Sequence, residues 1–526
     1  MGALPWWTRD EVATRILAGE TLLIRHGHVI RIPPSWLLAH PGGELAVLHF
    51  VGRDATDEID AYHCDDTLKR MNSYVVAQVA IGEEGWQPLV PPLMSGWVLK
   101  TGNDGRRTWK REAAAVRDSK ISPSSQILLV KNPNEPPTES SPTLSTLLPP
   151  PTTLSPKIQA QHSAAYKALH KQITDAGFYK TPYLSGYGPE AIRYGLLAAM
   201  SAILYGRGWL ITSAVFLGLF WHQLAFTAHD LGHMGVTHNW TYDRLLGIFI
   251  ADFLGGLSIG WWVDNHNVHH LVTNHPSHDP DIEHMPFFAI SPHFLTSLYS
   301  SYYKRIMTLD EPARFFLSMQ HKLFYIVMSL GRFNLYGNSY TFLAKALFHP
   351  VKAKGGRWSY WLEVLGIGLF WSWYGAVLYG CGNFRMALAY MLVSHIVTSP
   401  LHVQIVLSHF SRSTDDLGPT ESFPHRQLRT TTDVICPEHL AFIHGGLHLQ
   451  VTHHLFPRLP RHNLRKASIL VKAFAKERGL EYAEFGFIKG NGEVRDVLQT
   501  VAEQVKLVKM VADAEVKDAA HRAIAH

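Results

Sequence analysis

Residues 209–233 read WLITSAVFLGLFWHQLAFTAHDLGH. From Trp209 to Ala228 the run carries no Asp, Glu, Lys or Arg, and its length meets the roughly 20 residues a helix needs to cross the hydrocarbon of a bilayer. It ends in His229 and His233, four apart and therefore on one helix face. A membrane helix that delivers two imidazoles to its end points to a helical membrane domain with a metal site at its boundary. One such pair alone is equally compatible with ordinary interfacial histidines.

Two further groups change that balance. His266-Asn267-Val268-His269-His270 follows Trp261 and Trp262, and Gln450-Val451-Thr452-His453-His454 comes near the C-terminal end. Each presents its imidazoles in one direction. Together the three groups supply seven histidines, His229, His233, His266, His269, His270, His453 and His454, more than one four-coordinate ion uses. Two metals sharing a shell of imidazoles is the natural count, although imidazole suits zinc, copper, nickel and iron alike. Zinc proteolysis is disfavoured because HExxH is absent and Asp230 stands where the glutamate is needed.

Other apolar runs cover 194–205, 245–263, 364–380 and 384–407. If 194–205 and 209–228 each cross, the chain before them and His229 share one side. Two further crossings between His270 and Gln450 return the chain to that side. Only 245–263 spoils the parity, so we expect this run, which contains Asp252, to be re-entrant or packed along the interface.

Composition agrees with a bilayer protein: 46% hydrophobic, 11% aromatic and only 17% charged residues. The net charge of +5 is dispersed, which argues against nucleic acid and suits a membrane surface. Cys64, Cys381 and Cys436 are far apart, excluding a disulfide framework and thiolate metal sites. The opening MGALPWWTRDEV has no charged segment followed by an apolar run, so no signal peptide is expected.

Residues 1–85 read as a small soluble domain. His40-Pro41-Gly42-Gly43 is followed by Gly52-Arg53-Asp54-Ala55-Thr56 and then His63. A haem held by two neutral imidazoles needs one on each face of the ring, and the 23 residues from His40 to His63 leave room for the chain to turn and return. HPGG by itself is also a plausible surface turn. Residues 86–156 read as a linker; 132–156 contain eight prolines and suggest a semi-rigid tether rather than an insertion packed on a domain. A membrane domain at 157–490 follows. The tail, 491–526, places Val494, Val497, Val501, Val505 and Val508 at helical spacing and is expected to lie on the surface as an amphipathic helix.

The N-terminal motifs resemble the cytochrome b5 family, which implies a haem b with His40 and His63 as axial ligands. Cys64 departs from the serine usual there. HDxGH, HxxHH and QxxHH in this order behind such a domain resemble the front-end and sphingolipid desaturases. The longer strings GGLSIGWWVDNHNVHHLVTNHPSHDPDIEH and HGGLHLQVTHHLFPRLPRHNLRK look like the fungal sphingolipid 8-desaturases. The resemblance implies an α+β cytochrome b5-like domain followed by an all-α, multi-pass desaturase domain in the endoplasmic reticulum, haem and histidine boxes cytosolic. It implies two non-haem iron ions, O2 as oxidant, NADH-cytochrome b5 reductase as electron donor and ceramide or another sphingolipid as substrate. The double bond would enter position 8 of the long-chain base. A front-end acyl desaturase, a lipid hydroxylase and a mere haem relay are the alternatives.

The resemblance further implies a ligand from the end of the last membrane helix, His409, with His402 as fallback. Gln450 stands where related boxes have histidine; an amide is a poor iron ligand, so a substrate-side or water-mediated role is expected. His222 reads as a buried structural group. His238, His275, His278, Asn265, Asp279 and Asp281 are candidates for orienting the ligands.

Overall fold

The computed structural model describes residues 3–102, 105–111, 141–296, 298–348 and 354–524. Helix α1 (Arg9–Leu17) opens the N-terminal module with a capping box between Thr8 and Glu11. Three antiparallel strands follow in the order β1 (Leu22–Arg25), β2 (His28–Arg31), β3 (Val75–Gln78). Between β2 and β3 the short helix α2 (Pro34–Leu38) leads to His40, and α3 (Thr56–Tyr62) ends at His63.

The module does not stop at residue 85. A hairpin of β4 (Trp97–Thr101) and β5 (Arg107–Arg111) puts Trp97 and Trp109 into the same core as Val12 and Ile16, and the Trp109 indole donates to Ile16 O at 2.7 Å. Leu147 is fully buried in that core too. Much of the expected linker is therefore part of the module, because three large apolar side chains find a place in its core. Residues 132–140 of the proline-rich run lie outside the described residues. Its later part is packed down rather than extended as a tether.

Ser155 caps α4 (Pro156–Asp175), which lies under the third histidine box: the Tyr166 hydroxyl donates to Leu455 O at 2.6 Å. Then α5 (Gly188–Gly206) and α6 (Leu210–Gly232) form an antiparallel pair joined by a tight turn, with Ser201 and Ser213 bonded to each other across it. Among the described residues three helices are long and apolar enough to cross a membrane: α6, Gly356–Tyr379 and the segment Phe384–Leu407, in which Phe384–Ile396 is continued by Ser399–Leu407. Helix α5 falls short on composition, yet it turns Ile192, Leu196 and Ile203 outward, and Tyr205 at its end bonds Val377 O at the far end of Gly356–Tyr379. It runs back alongside α6, so that Tyr187 before its start bonds Asp230 at the end of α6.

The run at 245–263 does not make a straight crossing. Trp240–Gly247, extended as a π-helix through Leu254, and Ile259–Leu271 meet at 111°. Freed carbonyls at the bend are answered by side chains: Trp221 donates to Leu254 O at 2.8 Å, Arg332 to Gly255 O at 2.6 Å and Tyr340 to Gly256 O at 3.0 Å. Such irregular backbone survives at membrane depth only when it is buried in protein and satisfied in this way. Ser258 then caps the second helix through Trp261 N and donates to Glu363.

The sequence reading did not anticipate two amphipathic helices, Glu311–Ser329 and Gly331–Phe348. Against the first lies the long C-terminal helix, Phe487–Ile524. Its stripe of Val494, Leu498, Val501 and Val505 is buried on Leu317 and Phe324. The expected surface tail is thus an integral helix that starts before residue 491; its apolar face has a protein partner.

Candidate metal centre

Eight histidines from four helix ends converge. His229, His233, His266, His270 and His453 offer ring nitrogens that all lie within 4.8 Å of one another, and His269, His409 and His454 form a second such group. The groups adjoin where the His270 and His454 rings stack at 4.0 Å. Close approach of the first two boxes depends on Gly232: a Cβ there would lie 2.1 Å from the Trp262 ring. Box one is also pinned from behind. Asp230 accepts from Arg461 at 2.6 Å and from the Tyr187 hydroxyl at 2.6 Å, and Arg461 reaches on to Glu190.

Partners on the far ring nitrogen aim four of the eight imidazoles inward. His269 Nδ1 bonds Asp279 at 2.9 Å, His266 Nδ1 meets Asp281 at 3.4 Å, His454 Nδ1 bonds Gln427 Oε1 at 3.0 Å and His409 Nδ1 bonds Thr430 O at 3.2 Å. Fixing Nδ1 in this way leaves Nε2 free to ligate. Burial opposes charge on Asp281, but His269 and His266 outweigh it and hold its carboxyl well below the usual range. Asp279, more deeply buried, is pushed up.

The donor set fits transition-metal ions. His233 Nε2 and His454 Nε2 are buried without a hydrogen-bond partner. His270 Nε2 faces His266 Nε2 at 3.1 Å and His453 Nε2 at 3.2 Å, contacts that need a shared cation or proton to be favourable. His402 belongs to neither group; it stands beside Gly331, and its Nε2 is buried and unpartnered. His238 bonds Tyr179 O, His278 bonds Ser301 and His275 pairs with Asp416, so these three lie away from the convergence. His222 is buried beside Phe226. The orienting roles of Gln427, Thr430 and Arg461 had no spacing signal that could have revealed them.

A cavity of about 820 Å³ runs from this cluster into the helices. His229, His266, His269, His409 and Gln450 line its histidine end, with Asn265 and Asp281 beside them; Trp221, Leu224, Ile250, Leu257 and Met328 line the rest. Gln450 opens the helix that carries His453 and His454, and it lines the cavity.

In the N-terminal module the His40 and His63 rings face each other with centroids 6.0 Å apart. Their Nδ1 atoms bond Gly43 O at 2.9 Å and Ile59 O at 2.8 Å. An imidazole nitrogen sits about 2 Å from a bound transition ion, so two rings sharing one ion stand near this separation. Burial keeps both rings neutral, lowering His40 and taking His63 down to about 3. The pair fits a haem iron.

This module sits directly on the second-box helix. A Cβ on Gly43, whose φ is +83°, would lie 2.5 Å from Asp264, and one on Gly42 would lie 3.2 Å from Asn267. The Tyr62 ring meets His270 edge-on at 6.4 Å, and Arg53 Nη2 reaches Glu421 O at 3.5 Å. Glu421 itself is buried, yet His425, Arg429 and Arg426 hold its carboxyl down at about 2.

The fatty acid desaturase family matches residues 207–486, and the cytochrome b5-like heme/steroid binding domain matches residues 8–80. Among curated proteins, the chain is 41% identical to a Delta 8-(E)-sphingolipid desaturase of Emericella nidulans over 95% of both chains. It is 41% identical to the protein of that name from Komagataella phaffii, over 95% of this chain and 94% of that one. A Delta(8)-fatty-acid desaturase 1 of Arabidopsis thaliana is 28% identical over 95% of this chain and 94% of its own. With its paired histidine groups and its docked N-terminal module, the chain belongs to the fatty acid desaturase family, in the group of cytochrome b5-fused Delta 8-sphingolipid desaturases.

Proposed function

We propose that this protein introduces a double bond at position 8 of the long-chain base of a sphingolipid, ceramide being the simplest. The carrying observation is the meeting of eight histidines at the end of a mostly apolar cavity, with the haem-ligand pair docked beside them. In this reading His40 and His63 hold haem b. His229, His233, His266, His270 and His453 hold one non-haem iron, and His269, His409 and His454 hold a second. Iron bound there supplies the activation of O2, so that two hydrogens leave adjacent methylenes and, with two electrons and two protons, O2 ends as two waters. The chain's own part is positional. Asp279, Asp281, Gln427 and Thr430 keep the imidazoles aimed, Trp221, Leu224 and Leu257 keep the methylenes dry, and Gln450 stands at the substrate side. Geometry then chooses the carbon pair.

Electrons come singly from an NADH-cytochrome b5 reductase, with the haem module and histidines on the cytosolic face of the endoplasmic reticulum. Expression in a host without sphingolipid unsaturation, followed by analysis of both long-chain bases and fatty acids, tests the reading. The expected product is an 8-unsaturated base. Unsaturation confined to fatty acids would make the enzyme an acyl desaturase, and a hydroxylated base would make it a hydroxylase. A relay would hold one iron per chain instead of the three implied by the ligand counts.

A further inference from the structure

Helix Gly331–Phe348 is polar on the wrong side for a lipid-facing element. Its buried face carries Arg332, Tyr336, Ser339, Leu343 and Ala346. Nearly opposite lie Asn334, Asn338, Thr341 and Lys345, at helical spacing and open. The first turns of this helix sit deep. Tyr336 bonds His395 at 3.2 Å and packs on Phe370, each near the middle of its membrane span, and Arg332 reaches the re-entrant bend at Gly255. The apolar side chains exposed nearby are Tyr325, Ile326 and Leu330 on the preceding helix and its turn, and Leu347 and Phe348 at the C-terminal end of this one.

Among the described residues, the side chains of Asn334, Asn338, Thr341 and Lys345 make no hydrogen bond or ion pair. All four line the cavity that ends at the histidines. His402 lines it too, with its buried Nε2 unpartnered. Unanswered amides and an imidazole at membrane depth are costly, and the cost is removed if the cavity's occupant brings polar groups of its own. From Asn334 to Lys345 the helix rises about 16 Å, enough to follow a polar head and the first carbons of its chain.

We propose that Asn334, Asn338 and Thr341, with His402 beside the start of the same helix, bind the hydroxyl and amide groups of the sphingolipid head. This assignment rests on the sphingolipid reading above. Anchoring the head along this helix fixes how much chain separates it from the histidines, and therefore which carbon pair reacts. It also favours a lipid that brings hydroxyl and amide groups over an acyl lipid that lacks them, since these polar side chains are then left unanswered.

The test uses the full-length holoprotein in lipid nanodiscs, as wild type, as the double variant Asn334→Leu/Asn338→Leu and as Thr341→Val. Labelled ceramide binding, the double-bond position in the long-chain base, haem absorbance and iron content are measured together. The double variant should bind ceramide about 25-fold more weakly, two lost hydrogen bonds at roughly fivefold each, and should scatter the double bond to neighbouring positions. Haem and iron should stay at wild-type levels. Thr341→Val, which changes one hydroxyl for a methyl, should show a smaller shift in the same sense and decides the matter if the double variant loses its metals. Unchanged binding and unchanged bond position would overturn the proposal and leave the polar face to water. A wild type that desaturates only fatty acyl chains would sink the underlying sphingolipid reading, and this assignment with it.

Discussion

His453 and His454 are neighbours in the chain, yet their imidazoles enter different groups, with ring centroids 5.8 Å apart and planes at 88°. The five-membered group retains four imidazoles without His453, whereas the three-membered group retains two without His454. An ion held by only two imidazoles falls below the three or four protein ligands that stable sites use. His454→Ala should therefore lose about one iron per chain while keeping the haem spectrum, and His453→Ala should retain more iron than His454→Ala. Gln450→Ala, which removes no imidazole from either group, should keep its iron and alter turnover. Iron quantification beside haem absorbance reads all three; full iron in His454→Ala would remove the smaller group from the metal site. At this scale the convergence of the histidines was legible because they repeat at helical spacing, and that of His409 because it ends an apolar run in a recognisable pattern. Gln427 and Thr430 were not legible, since each acts through one contact made across the fold. Nor could spacing tell that neighbouring histidines belong to different groups.

Among the elements, the bent pair at 240–271 decides the topology. A straight crossing would put the second box on the opposite face from the first; the 111° bend lets both approach Trp262 from one side. Parity and Asp252 made this bend readable from sequence. The paired helices at 311–348 were not, because their apolar content is spread around helices that have a protein face on one side and a cavity on the other. Cysteine labelling tests the arrangement. With Cys64, Cys381 and Cys436 replaced by serine, single cysteines are placed by Thr241→Cys and Glu311→Cys, which flank the bent pair, and by Tyr379→Cys at the far end of a span, where the tyrosine is 91% exposed. In sealed, cytosol-side-out microsomes an impermeant maleimide should label the first two and reach the third only after permeabilisation. Protection of Glu311→Cys until permeabilisation would mean that the pair crosses.

At the scale of the whole molecule, the haem module is built in rather than swinging on a tether. Leu271, the last residue of the second-box helix, belongs to the module's own core, and Lys354 N bonds Ala39 O at 3.1 Å. Composition marked out the proline-rich run, but it could not show that Trp97, Trp109 and Leu147 fold back onto the module. Permanent docking has a consequence for electron delivery. Tyr62 precedes His63, proposed above as a haem ligand, by one peptide bond, packs against both the module's core and the core beneath the third box, and sets its ring edge-on to His270. Its hydroxyl is buried without a partner, so what the position uses is the ring. Tyr62→Phe should then behave as wild type. Tyr62→Leu should keep the haem spectrum, the haem potential and the non-haem iron, yet reoxidise several times more slowly after chemical reduction when O2 and substrate are added. Stopped-flow absorbance at the haem band measures this without product analysis. Wild-type reoxidation in Tyr62→Leu would mean that electrons leave by another contact, the nearest being the Gly42–Gly43 turn against Asn267 and Asp264.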